Sequence, residues 1–420
     1  MTTTKNNEHK KLNFSSEREQ SQVCLNSAEH EKNQGRKVLN VPNLRFKEFQ
    51  GKWNMCKLGD IAIVVGGGTP DTNTSQYWNG KIQWFTPSEI GRNKYVDNSV
   101  RTISEEGLNK SSAKLLPIGT ILLSSRATVG ECSINKKECT TNQGFQSLIP
   151  KENISNEFVY YLIQTKRKDL IRKSCGSTFL EISANEVRKI VISIPTIKEQ
   201  NKIANVLSLL DERIATQNKI IDKLQSLIKG IVDCTILSKE KNAIVGDVCS
   251  ISEQIRAEAN IDDIITVRLH GNGVCKSSAE NLQLGATQYY RRRAGQLIYG
   301  KQNFHNGAIG IVPISLDNGI TSKDIPSFDI DEMKCNSVYL LAQLQSPQYY
   351  KPAEALTTGT GSKRLKEDTF LKMPIVLPNK REQDNIAVLI HRASMNLDHA
   401  KRLLELLSIQ KQFLLRQMFI

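Results

Sequence analysis

A chain of 420 residues, 39% of them hydrophobic, is long enough for two or three domains and too apolar for wholesale disorder. Its net charge of +14 favours a polyanionic partner, because clustered Lys and Arg gain affinity by releasing phosphate counterions, although many basic proteins bind no nucleic acid. The apolar runs are too short to span a membrane, and the polar start lacks a signal-peptide core, so we expect a cytoplasmic protein. The nine cysteines include no Cys-x-x-Cys pair, which predicts reduced thiols.

The first half of the chain predicts a polar tail followed by a globular domain. Residues 1–40 are polar and nearly free of aromatic side chains, so they should form a tail or a frayed helix. In residues 41–195, short β-type runs are separated by Gly, Pro and Asn, which predicts an α+β domain with strands at 61–65, 118–123, 145–149 and 190–194.

A long helix should follow this domain. At residues 196–237, apolar side chains recur at alternating spacings of four and three, which is the a/d pattern of a coiled coil. An ordinary long core helix is the alternative. The polar Gln217 interrupts the pattern, and we expect it either to set the register of a helix pair or to lie at an exposed part of the seam.

The second half of the chain repeats the first. The sequence IPTIKEQNKIA at 194–204 returns as LPNKREQDNIA at 377–387, and the heptad pattern returns in the same phase 183 residues later. We therefore predict a second α+β domain at 238–378 and a second long helix at 379–420. The two helices should pack as an antiparallel pair in a molecule with an internal pseudo-two-fold repeat.

A cluster of aromatic and basic residues in the second domain is the first candidate for nucleic-acid contact. Tyr289 and Tyr290 precede Arg291, Arg292 and Arg293. Guanidinium groups beside aromatic rings suit phosphate contact and the reading of guanine edges. The alternative is a solvated charged face.

Loops at corresponding places of the two domains supply further candidates. Arg126 lies in SSRATVG of the first domain, and Lys301 and Asn303 lie in KQNFHNG of the second. Plain hairpin loops would give the same pattern. Small-residue turns near the end of each domain either are capped turns or offer cations, amides and hydroxyls to phosphate, and they contribute Ser177, Thr178, Lys363 and Arg364.

Motifs of catalysis are missing from the sequence. It has no Walker-type phosphate loop, no Asn or Asp followed by Pro-Pro and an aromatic residue to hold a flipped base, and no metal-ligand spacing. We therefore expect a chain that binds no cofactor or metal and is not itself an enzyme.

The segment VPNLRFKEFQGKW at 41–53, the two Pro-x-x-x-Glu-Gln junctions and the two phased helices together resemble the specificity subunit of a type I restriction-modification enzyme. The resemblance covers residues 41–420, and the polar residues before them are an addition to a minimal member. It implies two target-recognition domains, each reading one half of a bipartite site in double-stranded DNA, with the helices setting the gap. It also implies a non-catalytic subunit that docks modification subunits, which methylate adenine with S-adenosylmethionine, and through them ATP-dependent restriction subunits.

The junctions and the helix seam are the candidates for helix pairing and subunit docking, although acidic groups at a helix start can also simply stabilise it. These residues are Glu199, Gln200, Leu207, Leu210, Ile214, Ile221, Leu224, Glu382, Gln383, Ile390, Leu397, Leu404 and Leu407. Two other functions remain as alternatives: a coiled-coil scaffold without a DNA role, or a self-contained DNA methyltransferase or nuclease.

Overall fold

The computed structural model describes residues 40–176, 180–277, 287–359 and 363–420, which form two compact units. Unit 1 is drawn from Met1–Leu209 together with Lys411–Ile420, and unit 2 is Leu210–Gln410. Each unit thus contains part of both long helices. The domains predicted from the sequence were contiguous segments, with each long helix as a segment of its own. The predicted N-terminal tail lies outside the described residues, apart from residue 40. In the described ranges, no helix is both long and apolar enough to cross a membrane.

Unit 1 is a set of small sheets with short helices between the strands. Its strands are β1 (Asn54–Lys57), β2 (Ala62–Gly66), β3 (Trp78–Phe85), β4 (Tyr95–Val96), β5 (Arg101–Ile103), β6 (Ile121–Leu123), β7 (Cys132–Asn135), β8 (Cys139–Thr141), β9 (Gln146–Pro150) and β10 (Val191–Ile194). Its helices are α1 (Leu58–Ile61), α2 (Glu105–Asn109), α3 (Asn156–Thr165), α4 (Arg167–Arg172), α5 (Ala184–Arg188) and the first part of α6 (Ile197–Val232). The strand orders are β2-β9-β6-β7-β4, β5-β3-β8 and β1-β10.

Unit 2 has the same kind of architecture. Its strands are β11 (Ala243–Ile244), β12 (Cys249–Ile251), β13 (Arg256–Ala257), β14 (Ile265–Val267), β15 (Val274–Lys276), β16 (Tyr289–Arg292), β17 (Leu297–Tyr299), β18 (Ile309–Ile311), β19 (Gly319–Ser322), β20 (Ser327–Ile330) and β21 (Pro374–Ile375). Its helices after α6 are α7 (Ser337–Leu344), α8 (Pro347–Tyr350), α9 (Glu367–Leu371) and most of α10 (Lys380–Gln417). The strand orders are β12-β20-β17-β18, β13-β16-β19, β14-β15 and β11-β21.

The internal repeat extends to strand order. The order β12-β20-β17-β18 matches β2-β9-β6-β7, and the pair β11-β21 occupies the place of β1-β10. Gly119 and Gly295 lie two residues before β6 and β17 with φ values of 86° and 87°, a left-handed conformation that favours glycine. The predicted α+β class with an internal repeat is confirmed.

One predicted strand is shorter than expected. The run 118–123 forms a strand only at Ile121–Leu123, because Thr120 N–H bonds back to Pro117 C=O at 3.3 Å and Gly119 turns the chain. The other three predicted strands are shifted by about one residue.

The two long helices are α6 and α10, of 36 and 38 residues. The α-helical part of α6 ends at Val232, five residues before the predicted end, and continues as one π-helical stretch, Asp233–Leu237. Every a/d position predicted from Ile203 to Ile231 is buried or half-buried, and so is every position 183 residues later. The heptad pattern therefore identified the packed face correctly.

The helix ends pack in an antiparallel sense. In unit 2, Val232 at the end of α6 shares a core cluster with Ile386 near the start of α10. In unit 1, Leu207 near the start of α6 shares a cluster with Met418, just beyond α10. Ring stacking reinforces the second cluster, since Phe158 lies 5.2 Å from Phe419 between ring centroids. Each fully buried apolar side chain of this size stabilises the fold by about 1.5–3 kcal/mol.

Gln217 marks the centre of the helix pair in unit 2. Its side chain is 8% exposed and donates from Nε2 to the carbonyl oxygen of Ala400 at 3.0 Å. These two residues are 183 apart and are therefore equivalent in the repeat. Two equivalent positions of an antiparallel pair face each other only at its two-fold axis. Of the two expectations for Gln217, the buried register contact is the one observed.

Candidate nucleic-acid interface

Each domain carries a β-bridge on either side of the predicted small-residue turn, and we call the described residues at it (175, 176, 180 and 181 in unit 1; 358, 359, 363 and 364 in unit 2) the hairpin. An antiparallel bridge joins Cys175 to Glu181 in unit 1, and another joins Thr358 to Arg364 in unit 2. Both members of the second bridge are 183 residues after those of the first. The residues Ser177 and Thr178, predicted to contact phosphate, lie outside the described residues. The positions of Lys363 and Arg364 are described.

A second loop lies against each hairpin. Residues 124–131 connect β6 to β7 in unit 1, and residues 300–308 connect β17 to β18 in unit 2. Arg126 forms a bridge with Glu181 of the first hairpin. In unit 2, the N–H of Leu365, next to the second hairpin, donates to Lys301 C=O at 2.9 Å. In unit 1, Ile182 N–H donates to Ser125 C=O at 3.0 Å, so Lys301 corresponds to Ser125, and Arg126 lies one residue further along its loop. Loop and hairpin form one surface in each unit, which we call the loop face.

Arg126 is the accessible cation of the first loop face. Its side chain is 46% exposed, and its Nε lies 3.7 Å from the equally exposed Glu181 carboxylate. Exposed ion pairs of this kind contribute only about 0–1 kcal/mol. The guanidinium can therefore exchange this partner for a phosphate at little cost.

The cations of the second loop face differ in accessibility. Lys301 is only 12% exposed and lies 2.7 Å from Glu367, so it is largely committed to the fold. Lys363 and Arg364 are 60% and 46% exposed, and each is 3.3 Å from a carboxylate, Glu354 and Asp324 respectively.

Asn303 lies in the same loop as Lys301. It is exposed, and its Oδ1 accepts from Asn306 Nδ2 at 3.2 Å in the turn that follows. Its amide nitrogen is not used in that contact, so the residue remains a polar candidate on the second loop face.

The run Tyr289 to Arg293 does not form one cationic surface. Alternate side chains of a strand point to opposite faces, and here Arg291 and Arg293 are exposed while Arg292 is fully buried. Tyr289 packs in a small cluster with Ile264 and Ile320, and Tyr290 is half-buried. The expectation of three adjacent exposed guanidinium groups must therefore be corrected to two. Period-two alternation within the run was the signal that could have shown this.

Arg292 holds the loop that carries Asp324. It donates to Thr321 Oγ1 of β19 at 2.7 Å, to Ser327 Oγ of β20 at 2.9 Å and to Ile325 C=O, on the connection between these strands, at 2.9 Å. Burial lowers the pKa of its guanidinium to about 10, so it remains charged at neutral pH. Because its donors are engaged inside the unit, Arg292 supports the loop face and is not part of its surface.

The junction glutamines form matched contacts. Gln200 Oε1 accepts from Ser155 N–H, the N-cap of α3, at 3.0 Å, and its Nε2 donates to Pro195 C=O at 3.0 Å. In unit 2, Gln383 Oε1 accepts from the N–H of Asn336, the N-cap of α7, at 2.9 Å. Its Nε2 donates to Pro378 C=O at 2.8 Å and to Lys334 C=O at 3.1 Å. Both amides tie the start of a long helix to its own domain.

The junction glutamates are not matched. Glu199 is 1% exposed and receives two hydrogen bonds at 2.7 Å from Arg45 and one at 3.2 Å from Trp53 Nε1. This contact raises the pKa of Arg45 above its ordinary value. Glu382 is 39% exposed and pairs with Lys239, which is equally accessible. The reason is that Arg45 belongs to the segment 41–53, which occurs in the chain once.

The described seam residues lie on the packed face of the helices. Leu207, Leu210, Ile221, Ile390 and Leu407 are buried. The remaining ones are half-buried, namely Ile214, Leu224, Leu397 and Leu404.

Several residues that build these sites were not predicted from the sequence. Ser155 and Asn336 contact the junction glutamines over separations of more than forty residues, and Glu181 and Asp324 become part of the loop faces only through folding. The Arg45 partner of Glu199 could have been sought, because it lies in the segment singled out at 41–53. In the described ranges, no group of three or more His, Cys, Asp or Glu residues is arranged to hold a metal ion.

Comparisons with known proteins show one family to which this chain is similar. Residues 50–226 match the family model described as "Type I restriction modification DNA specificity domain". Over 179 residues the chain is 40% identical to the type I restriction enzyme MjaIX specificity subunit of Methanocaldococcus jannaschii, an alignment covering 41% of each protein. It is 34% identical over 175 residues to the EcoR124I/EcoR124II specificity subunit of Escherichia coli, covering 40% of this chain and 43% of the relative. The chain thus matches about two fifths of the length of these relatives.

Two further matches extend over most of the chain. The MjaVIII specificity subunit of Methanocaldococcus jannaschii is 20% identical over 379 residues, which is 81% of this chain and 87% of the relative. The crystal structure of the type I restriction-modification system S subunit from M. genitalium aligns with a TM-score of 0.59 at 14% identity and covers 90% of this chain and 99% of that one, which shows a shared fold. From these matches, the chain is similar to type I restriction-modification specificity subunits, in sequence over about two fifths of its length and in fold over most of it.

Proposed function

We propose that this chain is the DNA-recognition subunit of a type I restriction-modification complex. Each loop face binds one half of a bipartite site in double-stranded DNA, and the long helices set the spacing of the halves and dock the modification subunits. The chain itself performs no catalysis. Adenine methylation and ATP-dependent cleavage belong to the modification and restriction subunits of the assembled enzyme.

The observation that carries this proposal is the pair of loop faces. A hairpin with the same bridge and a neighbouring loop occur in both domains, but the side chains on them differ: a carboxylate at Glu181 stands where the second copy has the cation Arg364. A common backbone with different polar groups suits two related but unequal DNA half-sites, because base edges are distinguished by their patterns of donors and acceptors.

Charge supports the same function. Arg291 and Arg293 remain exposed at and just after the end of β16, and the chain as a whole carries a net charge of +14. Cations of this kind fix a protein on the phosphate backbone, and base contacts then select the sequence.

We assign subunit docking to the exposed surface of the two long helices. Gln200 and Gln383 are buried within their own units, so they stabilise the junctions and are not available to another protein. Large apolar side chains remain exposed along α6 and α10, which is typical of surfaces that a partner covers. They include Leu209, Ile220, Leu227, Leu403, Leu406 and Phe413.

The proposal is tested by mapping methylated adenines in cells that express the modification subunits with and without this chain. We expect one bipartite motif that appears only when the chain is present. Absence of any bipartite motif in a complex shown to be assembled would refute the proposal. Methylation or cleavage by the purified chain alone would favour the self-contained enzyme.

A charge-reversal experiment separates DNA recognition from a scaffold role. The double variant Arg291→Glu with Arg293→Glu should weaken binding of the assembled complex to duplex DNA. It should also reduce the dependence of log Kd on log salt by about one for each phosphate that the variant no longer neutralises. Lys372→Glu is a matched control, because Lys372 is an exposed cation of the same unit at the end of α9. Equal binding by all these proteins would favour the scaffold.

A further inference from the structure

The end of one strand pairing carries an accessible polar side chain in each of the two loop faces. In unit 1, strands β6 and β9 continue beyond their regular part, since Ser124 forms a bridge with Phe145 and Ser125 N–H donates to Gly144 C=O at 2.9 Å. The next pair in this antiparallel register is Arg126 and Gln143. Gln143 therefore lies beside the cation that the loop face already presents, although nothing in its sequence context suggested a role.

The amide of Gln143 has a fixed partner on the protein. Thr69 Oγ1 donates to Gln143 Oε1 at 2.5 Å, while the side chain of Gln143 is exposed. An exposed amide held by one hydrogen bond is partly preorganised and keeps both of its N–H donors for a ligand. A glutamine in this state suits the N6 and N7 edge of adenine, which offers one donor and one acceptor.

In unit 2 a carboxylate lies one residue from the place equivalent to Gln143, because Asp324 is equivalent to Gly144 and Lys323 to Gln143. Strands β17 and β20 pair like β6 and β9, and their pairing continues where Lys301 N–H donates to Asp324 C=O at 2.9 Å. Asp324 follows β19 on the loop that Arg292 holds through Thr321 and Ile325, so its backbone is supported from inside the unit. A carboxylate can only accept hydrogen bonds, and the N4 amino group of cytosine is the base-edge donor that acidic residues read.

The two positions share their surroundings. Each lies beside the loop cation, Arg126 or Lys301, and close to its hairpin. In unit 2 this contact is direct, since Asp324 lies 3.3 Å from Arg364. The accessible cations near them are Arg126 in unit 1 and Arg364 in unit 2, and the amide differs from the carboxylate because only the amide can donate a hydrogen bond.

We propose that Gln143 and Asp324 are specificity-determining residues, with Gln143 reading an adenine in one half-site and Asp324 a cytosine in the other. This inference rests on the proposed function, because it assigns base contacts within the two loop faces. It goes beyond the charged residues considered above, which fix the protein on DNA without choosing a sequence.

The experiment uses the complex assembled from this chain and its modification subunits. The complex methylates a library of DNA duplexes randomised at both half-sites, and the methylated sequences are read. The variant Gln143→Ala should lose preference at one base pair of one half-site by about 5- to 150-fold, the range of a bidentate base contact, and leave the other half-site and the gap unchanged. Asp324→Asn should relax one position of the opposite half-site only. Thr69→Val should relax the same position as Gln143→Ala, but less, because the amide remains and only its orientation is lost.

Matched controls exist in each unit. Gln76→Ala removes another exposed amide of unit 1, and Asp262→Asn removes another exposed carboxylate of unit 2, and neither should alter the motif. Unchanged preference in both test variants, or an equal loss of activity on all sequences, would overturn the inference. Failure of the proposed function would look different, since the wild-type complex would then select no bipartite motif at all.

Discussion

The two junction glutamates should have unequal effects on stability although they are equivalent in sequence. We consider Glu199→Gln and Glu382→Gln, because glutamine preserves the size of the side chain and removes only the charge and one acceptor. Glu199 is 1% exposed and accepts three hydrogen bonds, two of them from Arg45. Glu382 is 39% exposed, and its ion pair is with Lys239 alone.

The magnitudes follow from these surroundings. Breaking a buried ion pair by removing one partner costs about 3–5 kcal/mol, since the remaining charge is left without compensation. Arg45 is 15% exposed and can recover part of its hydration, so we expect the lower end, about 3 kcal/mol, for Glu199→Gln. An exposed pair contributes about 0–1 kcal/mol, so Glu382→Gln should change the free energy of unfolding by less than about 1 kcal/mol.

Tryptophan fluorescence distinguishes the two units in this assay. All three tryptophans of the chain, Trp53, Trp78 and Trp84, lie in unit 1, so their emission during urea denaturation follows that unit. Far-UV circular dichroism follows the whole chain. The double variant of Arg45→Met with Glu199→Gln should recover part of the stability, because no unpaired charge is then buried. Effects of Glu199→Gln and Glu382→Gln that agree within about 0.5 kcal/mol would refute the reasoning.

Three further predictions concern other contacts described above. Gln200→Ala and Gln383→Ala should each destabilise their own unit by about 1–3 kcal/mol in denaturation experiments, because each leaves a half-buried N-cap residue without the acceptor of its N–H; a loss below about 0.5 kcal/mol would contradict this role. Gln217→Leu should raise the midpoint of thermal unfolding, since a buried polar contact at the axis is replaced by apolar packing, and a lower midpoint would show that the hydrogen bond dominates. DNA carrying the recognised site should slow alkylation of the exposed Cys175, beside the first hairpin, and leave the exposed Cys234 as a control; peptide mapping that shows equal protection of both would exclude the loop face as the contact.

The buried thiols supply an internal reference for that alkylation experiment. Burial raises the pKa of Cys132 and Cys335 to about 12, so these groups hold almost no thiolate at neutral pH and should react only when the protein unfolds. Their labelling rate therefore reports global opening, against which protection of Cys175 can be measured.

The sequence predicted well those features that depend on local periodicity. A heptad pattern selects one face of a helix regardless of what packs there, so the buried positions from Ile203 to Ile231 could be read directly. The Pro-x-x-x-Glu-Gln repeat likewise located both junctions. Strand ends were less accurate, because a turn at Gly119 shortened one predicted strand through its backbone conformation.

Features that depend on contacts between distant segments could not be predicted. Charge alone made Arg292 resemble its neighbours, but its role follows from Thr321, Ile325 and Ser327, which folding brings around it. Gln143 belongs to a loop face only because β6 and β9 are adjacent. Its sequence context, a short polar turn, is compatible with any exposed loop.

The number of residues between equivalent positions shows which segments have the same length in the two copies. The hairpin bridge at Cys175, the contact of Gln200 with Pro195 and the axis residue Gln217 all recur 183 residues later, so the chain from hairpin to helix centre has the same length in both copies. The N-caps of α3 and α7 are separated by 181 residues, which places the change in length before the hairpins. Constant length in this segment keeps the hairpin and the junction contacts alike in the two copies, whereas the loops that precede it can vary. Gln143 and Asp324 both lie in that variable part, where a change of side chain would leave the helix pair unaltered.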